Sequence, residues 1–286
     1  MAGDILPGRL CAIVINSCDK YSDVWPIYCQ LFEKFWPDCP YELIINTESK
    51  AFSYEGLNVK TMQLFAPGAN VPWGKRLIET LKRIDAEYVL LTLEDYMFSG
   101  PVDRARFGQC LAWLESDNKV AAFRLPGIYY VTGKPWPPLF NDLEYSEKYT
   151  GFWRYKKTYK KYKTDCSPTI WRKKTLLKYL RPHESIWDWE QLGSRRCARY
   201  SEEYYVQGSD DPRILTTLAS RCGGAIHEGL WVEENIKQVF EENGIKPDLS
   251  VRGMTPVFVR SQAGPGTRQL FMMLCRDVAR KIKSLI

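Results

Sequence analysis

Apolar runs alternate with apolar residues at helical spacing through the first 125 positions. Arg9-Leu10-Cys11-Ala12-Ile13-Val14-Ile15-Asn16 is nearly unbroken and closes on the polar turn Ser17-Cys18-Asp19-Lys20. Such a run predicts a strand buried on both faces. Val24, Ile27, Tyr28, Leu31, Phe32 and Phe35 then fall on one helical face, with Ser22 as the expected cap. Trp36-Pro37-Asp38-Cys39-Pro40 ends that helix. Strands are predicted at Tyr41 to Asn46 and within Leu57 to Leu64, a helix from Trp73 to about Ile84, and a strand over Tyr88-Val89-Leu90-Leu91-Thr92-Leu93. The alternation implies an α/β fold with a mostly parallel, Rossmann-type sheet flanked by helices.

A helix over Arg104 to Glu115 and a strand over Val120 to Leu125 continue the pattern, which then breaks. Residues 126–163 are rich in Tyr, Trp, Pro, Gly and Lys without a period, and predict a long loop. Order resumes with a short strand at Ser167 to Trp171, a helix over Lys173 to Leu180, and a helix start at Ser185-Ile186-Trp187-Asp188-Trp189-Glu190. Strands are expected at Tyr204 to Val206 and Gly224 to Trp231. From Arg268 to Ile286 the chain predicts a basic amphipathic helix, with Phe271, Leu274, Val278, Ile282 and Leu285 on one side.

The chain of 286 residues has 40 Lys and Arg against 34 Asp and Glu, a formal charge of +6. That is mildly basic and far from a dedicated nucleic-acid binder, so no nucleic-acid partner is expected. Nine cysteines, an odd number with no Cys-x-x-Cys pair, argue for reduced thiols rather than a disulfide framework. No apolar run approaches 18 residues, and the first eight residues are too polar for a secretory signal. The expectation is a soluble cytoplasmic protein, with the anionic inner face of a membrane as a surface on which the basic tail would rest.

Glu94-Asp95 is the most informative pair. Two acids close a strongly apolar strand, and ligands of open α/β sheets collect at that end. A cation, a sugar hydroxyl or a basic side chain would each explain them, and hard oxygen ligands suit Mg²⁺ or Mn²⁺. Asp188 and Glu190 stand beside Trp187 and Trp189, where a carboxylate can take a proton from a sugar hydroxyl and an indole can hold the sugar ring. Glu190 is the first choice for such a base and Asp188 the second. Asn16, Ser17 and Asp19 form a turn that suits a base and ribose. Trp73-Gly74-Lys75-Arg76 joins a helix N-terminus to two cations, which suits a diphosphate. The run Arg154 to Lys163 interleaves basic and aromatic residues, and a solvated loop, single-stranded nucleic acid, an anionic lipid or a diphosphate would each account for it. Walker, Gly-x-Ser-x-Gly and His-Glu-x-x-His motifs are absent.

Ser17-Cys18-Asp19-Lys20-Tyr21, Trp36-Pro37-Asp38-Cys39-Pro40-Tyr41, Leu93-Glu94-Asp95-Tyr96 and Trp187-Asp188-Trp189-Glu190 with Gly193-Ser194, in that order, resemble the nucleotide-sugar-dependent glycosyltransferases of the GT-A fold. The nearest likeness is to bacterial members serving capsule, O-antigen or other surface polysaccharides. The resemblance implies one catalytic domain over 1–265: a nucleotide-sugar-binding half, 1–125, and an acceptor-side half, 126–265, followed by the 266–286 helix. It implies transfer from a nucleotide-diphosphate sugar, UDP by default, to a hydroxyl of a glycan or lipid-linked acceptor, inverting with a carboxylate base. A silent nucleotide- or carbohydrate-binding protein on the same scaffold is the alternative. Glu94 and Asp95 stand where the family's Asp-x-Asp holds a divalent cation. Leu93 replaces its first acid, and Lys75, Arg76 or the 154–163 run would neutralise the diphosphate if no metal does. Asn16, Ser17, Asp19, Trp73, Lys75 and Arg76 would hold the donor with Glu94 and Asp95; Trp187, Trp189 and Tyr96 would contact sugar.

Overall fold

The computed structural model describes residues 10–125, 142–158, 163–208, 212–218 and 224–256, with the backbone of 130–131 and 134–135. The apolar runs become β1 (Cys11–Asn16), β2 (Glu42–Asn46), β3 (Val59–Met62), β4 (Tyr88–Thr92) and β5 (Val120–Arg124). A small hairpin follows, β6 (Tyr130–Val131) with β7 (Lys134–Pro135). Then come β8 (Leu143–Tyr145), β9 (Phe152–Tyr155), β10 (Thr169–Arg172) and β11 (Glu203–Gln207). Nine of these described strands make one sheet in the order β3-β2-β1-β4-β10-β5-β11-β9-β8. The first four run parallel, as do β5 and β11. β10 is inserted antiparallel between β4 and β5, and β9 runs antiparallel to both β11 and β8. The fold is therefore α/β with a large, mostly parallel central sheet, as the alternation implies.

Both faces of that sheet are covered, which is why its strands carry no polar stripe. Cys11, Ile13 and Ile15 of β1 and Tyr88 and Leu90 of β4 join a core with the Trp25–Phe35 and Arg104–Ser116 helices. Ala12 and Val14 with Val89 and Leu91 point the other way, onto the Trp73–Arg83 and Lys173–Tyr179 helices. The strand period of two sends alternate residues to opposite cores. A three-stranded sheet, β12 (Ile226–His227), β13 (Leu230–Val232) and β14 (Met254–Thr255), with the Glu233–Glu242 helix, adds Trp231, Ile236 and Phe240 to the first core.

Four local expectations change. Ser22 does not cap the first helix; it ends the 3-10 turn Asp19–Tyr21, and the helix starts with Trp25 and Pro26 behind Val24. The stretch expected to be one long loop holds β8, at the sheet edge, and β9 beside it, whose short mixed sequences have no apolar run to betray them. Gly224 to Trp231 is a hairpin rather than one strand, because Glu228 and Gly229 both take positive φ. Arg154 and Lys163 are not free loop cations. Arg154 pairs with Glu144 and Glu203, both at 2.7 Å, and Lys163 is buried over the Tyr204 ring. The expected 266–286 helix lies outside the described residues. Among the described residues, no helix is long and apolar enough to cross a membrane.

Candidate active site

In a parallel sheet, a crevice opens where neighbouring strands send their connections to opposite sides. That point lies at the carboxyl ends of β1 and β4, β1 having β2 on its other side. Ser17 follows β1 there, and Glu94-Asp95 follow β4. The Trp25 indole donates to Ser17 Oγ at 2.8 Å, and the Ser17 hydroxyl hydrogen-bonds the Glu94 carboxylate. Asn46, at the end of β2, donates to Asn16 Oδ1 at 2.6 Å and accepts from Thr80 at 3.0 Å. Arg76 is buried at the same mouth, 3.3 Å from the Ser17 carbonyl and 3.0 Å from Glu48.

Glu94 is 7% exposed, and its Oε2 and Asp95 Oδ1 are buried without hydrogen-bond partners. Burial, and then Asp95 beside it, hold the Glu94 carboxyl above its ordinary range; Ser17 and Arg252 offset part of this. Burial likewise raises Asp95, partly offset by the Gly224 backbone N–H. Two adjacent hard oxygen donors with open lone pairs fit a divalent cation that completes its shell from phosphate and water. Among the described residues, no group of three or more His, Cys, Asp or Glu could form a cage without such help.

These raised carboxyls give the stability a pH signature. The folded state holds its protons to higher pH than the unfolded chain, whose values lie near 4.5 and 3.8. The stability they contribute is therefore complete below those values and is lost as the pH rises through the folded ones. Between about pH 5 and about pH 8, the melting temperature of the metal-free protein should fall more steeply than that of Glu94→Gln. Parallel curves for the two proteins would contradict this origin.

Further along the sheet, β5 ends in Arg124, and the segment entering β10, between β4 and β5, brings Asp165, Cys166 and Ser167. Arg124 pairs with Asp165 at 2.6 Å and donates to Ser167 Oγ at 3.0 Å and to the Tyr155 hydroxyl at 3.3 Å. Tyr96 approaches the same Ser167 hydroxyl at 3.5 Å. Glu190 faces this cluster. Burial, and then Asp165, push its carboxyl up to about 7, against the Cys166 backbone N–H and Arg124. Burial first, and then the negative charges of Glu190, Asp165, Asp95 and Glu94, push the Cys166 thiol well above its ordinary range. The strand-end pair and Glu190, about ninety positions apart in the chain, thus both act electrostatically on Cys166.

Other candidates fall elsewhere. Asp19 has no lone pair left for a ribose: it accepts from Thr47, Glu48, Ser49 and Lys50 and ties the loop after β1 to the loop after β2. Burial alone would raise its carboxyl, but these bonds, Ser49's foremost, hold it well below the usual range. Trp189 is fully buried between Trp73 and Trp171, so no face remains for a sugar. Trp187 is 65% exposed. Asp188 forms a capping box with Ser185, whose hydroxyl and backbone N–H both donate to its Oδ2, at 2.8 Å and 3.2 Å, which ties the carboxylate to the helix start. The N-terminus of the Trp73–Arg83 helix is not open to a diphosphate. The Gly74 N–H donates to the Glu184 carbonyl at 2.9 Å, and a Cβ on Gly74 would lie 2.1 Å from the Arg181 carbonyl oxygen. Lys75 points outward over Phe65.

Several residues at the site escape sequence reasoning. Arg124 closes an apolar strand just as Glu94 does, so the same signal marks it. Asp165 and Ser167 lie in a polar stretch like any other. Arg252 comes from the far end of the described chain, pairs with Asp23 at 2.9 Å and lies over the Tyr21 ring at 4.4 Å. Nothing local in its sequence betrays that.

No protein-family model matches the chain, and no curated protein matches it. Among solved structures it is similar to S. aureus TarS 1-349, at 14% identity and TM-score 0.44, covering 82% of this chain and 64% of that one. Against TarS 1-349 in complex with UDP-GlcNAc the values are 15%, 0.46, 82% and 65%. Against the UDP complex they are 13%, 0.44, 82% and 64%. The chain spans just under two thirds of the length of these solved chains.

Proposed function

We propose that the protein is a glycosyltransferase that moves a sugar from a nucleotide diphosphate to an acceptor hydroxyl, with inversion. The observation that carries this reading is the pair Glu94 and Asp95, buried at the end of β4 with an unpartnered oxygen on each. A group that offers charge and lone pairs without using them is costly unless a ligand does. A divalent cation held there would neutralise charge developing on a leaving diphosphate. Arg76, at the same mouth, supplies fixed positive charge to the donor side.

Glu190 serves the acceptor. A carboxyl near neutrality is matched to removing a proton from a hydroxyl at physiological pH, and Asp165 and Arg124 hold its surroundings fixed. Exposed Trp187, three positions earlier on the same short helix, offers a flat apolar face to a sugar of a glycan or glycolipid acceptor.

A melting-temperature screen of nucleoside diphosphates and their sugars, with and without Mn²⁺, tests the reading, since a ligand that prefers the folded state raises the midpoint. UDP or another nucleotide should stabilise the protein more with Mn²⁺ than without it, and Asp95→Asn should abolish the metal's share. Slow release of free nucleotide from the sugar conjugate marks an enzyme, and binding without release marks a silent binder. No stabilisation by any nucleotide sinks the proposal.

A further inference from the structure

Glu190 lies in a five-residue π turn, Trp189–Gly193, between the helical segments Ile186–Asp188 and Ser194–Cys197. A π turn is uncommon and needs a cause, such as a side chain inserted into the helical ladder. Thr164 supplies it. Its hydroxyl donates to the Trp189 carbonyl at 3.0 Å, and its backbone N–H donates to Ser194 Oγ at 3.0 Å. The Ser194 hydroxyl donates in turn to the Glu190 carbonyl at 2.7 Å. Thr164 and Ser194 are wholly buried. Gly193 leaves the room for this: a Cβ there would lie 2.6 Å from the Trp189 ring and 2.8 Å from Thr164 Oγ1.

Thr164 also begins the segment that surrounds the Glu190 side chain. Asp165 and Cys166 come next in the chain, and both face that carboxylate. One short stretch therefore grips the helix at its carbonyls and walls the side chain that the helix presents.

We propose that Thr164 and Ser194 are positioning residues for Glu190, holding the π turn that aims its carboxylate at Asp165 and Arg124. The proposal rests on the reading of Glu190 as the proton acceptor and names what keeps it in place. Successive α-helical residues are turned by about 100°, so relaxing the turn toward an α-helix swings the carboxylate off its wall. The charged and titratable groups facing Glu190 are Asp165, Arg124 and Cys166, with Asp95 and Glu94 beyond Cys166.

The test follows the Glu190 carboxyl by ¹³C NMR in the full chain, its resonance assigned by its loss in Glu190→Gln. Wild-type Glu190 should titrate near neutrality. In Thr164→Val and Ser194→Ala it should titrate lower, toward an ordinary glutamate, while Thr164→Ser, which keeps the hydroxyl, stays with wild type. UDP release from a panel of UDP-sugars should fall about 10- to 100-fold in the two displaced variants, with KM for the donor unchanged. If Thr164→Val does not fold, Ser194→Ala carries the test, since it removes only a hydroxyl. Wild-type titration in the folded variants overturns the positioning role whatever the turnover. Full turnover by Glu190→Gln overturns the assignment of the base and leaves the titration result standing.

Discussion

Glu190→Gln should lower sugar transfer, or the slower hydrolysis of a nucleotide sugar, by about 10²- to 10⁴-fold, the range for loss of a positioned general base. The amide matches the carboxylate in size, so the Trp189–Gly193 turn and its Thr164 contacts should persist. UDP with Mn²⁺ should accordingly raise the melting temperature as in wild type, because Glu94 and Asp95 are untouched. The rate profile of the wild-type enzyme should rise through an acid limb near pH 7, where burial and Asp165 set the Glu190 carboxyl, and the variant should lack that limb. Asp165→Asn should move it to lower pH, since removing a neighbouring negative charge eases ionisation. Asp188→Asn should cost stability through the lost cap, about 1 kcal/mol, and little turnover. The reverse order of effects in Glu190 and Asp188 would exchange their roles.

Gly224→Ala should be the most damaging single-methyl change at the site. A Cβ there would lie 2.1 Å from the Asp95 carbonyl oxygen and 2.5 Å from its carbonyl carbon. Both are backbone atoms and cannot swing aside. The adjoining Ala225 N–H donates to that same Asp95 carbonyl at 2.7 Å, so moving the strand away breaks a buried hydrogen bond. Overpacking and a lost bond together should cost about 3 kcal/mol, read as a lower urea midpoint. The damage should reach function as well, because Gly224 also helps hold the Asp95 carboxylate. The Mn²⁺-dependent part of UDP stabilisation should shrink even at temperatures where the variant stays folded. A stability loss below about 0.5 kcal/mol would show that the two segments are not in contact in solution.

The parallel part of the sheet was legible because strands covered on both faces must be apolar through their middles, and β1, β2, β4 and β5 are. The helices between them followed from their apolar spacing. Strands β8 and β9, the last two of the sheet, were not legible, since short strands at its margin tolerate Glu144, Trp153 and Arg154 without a repeating pattern. Trp189 and Trp187 show the same limit: two positions apart, one is fully buried and the other mostly exposed, and no local rule separates them. Asp19 illustrates a third. A turn acid after the first strand suits a ligand, but partners some thirty residues later consume all of its lone pairs.

The amino-acid pattern alone determined that this chain forms an α/β sheet and that two acids, Glu94 and Asp95, close its fourth strand, because burial and strand length are local properties of the sequence. The tertiary structure decided which candidates come together. It seats Glu190 near Asp165 and Cys166, withdraws Asp188, Asp19 and Trp189 into structural duties, and closes the Trp73–Arg83 helix end with the 181–184 turn. Those assignments depend on contacts between segments distant in the chain, and a side chain's hydrogen bonds are settled only when its partners arrive.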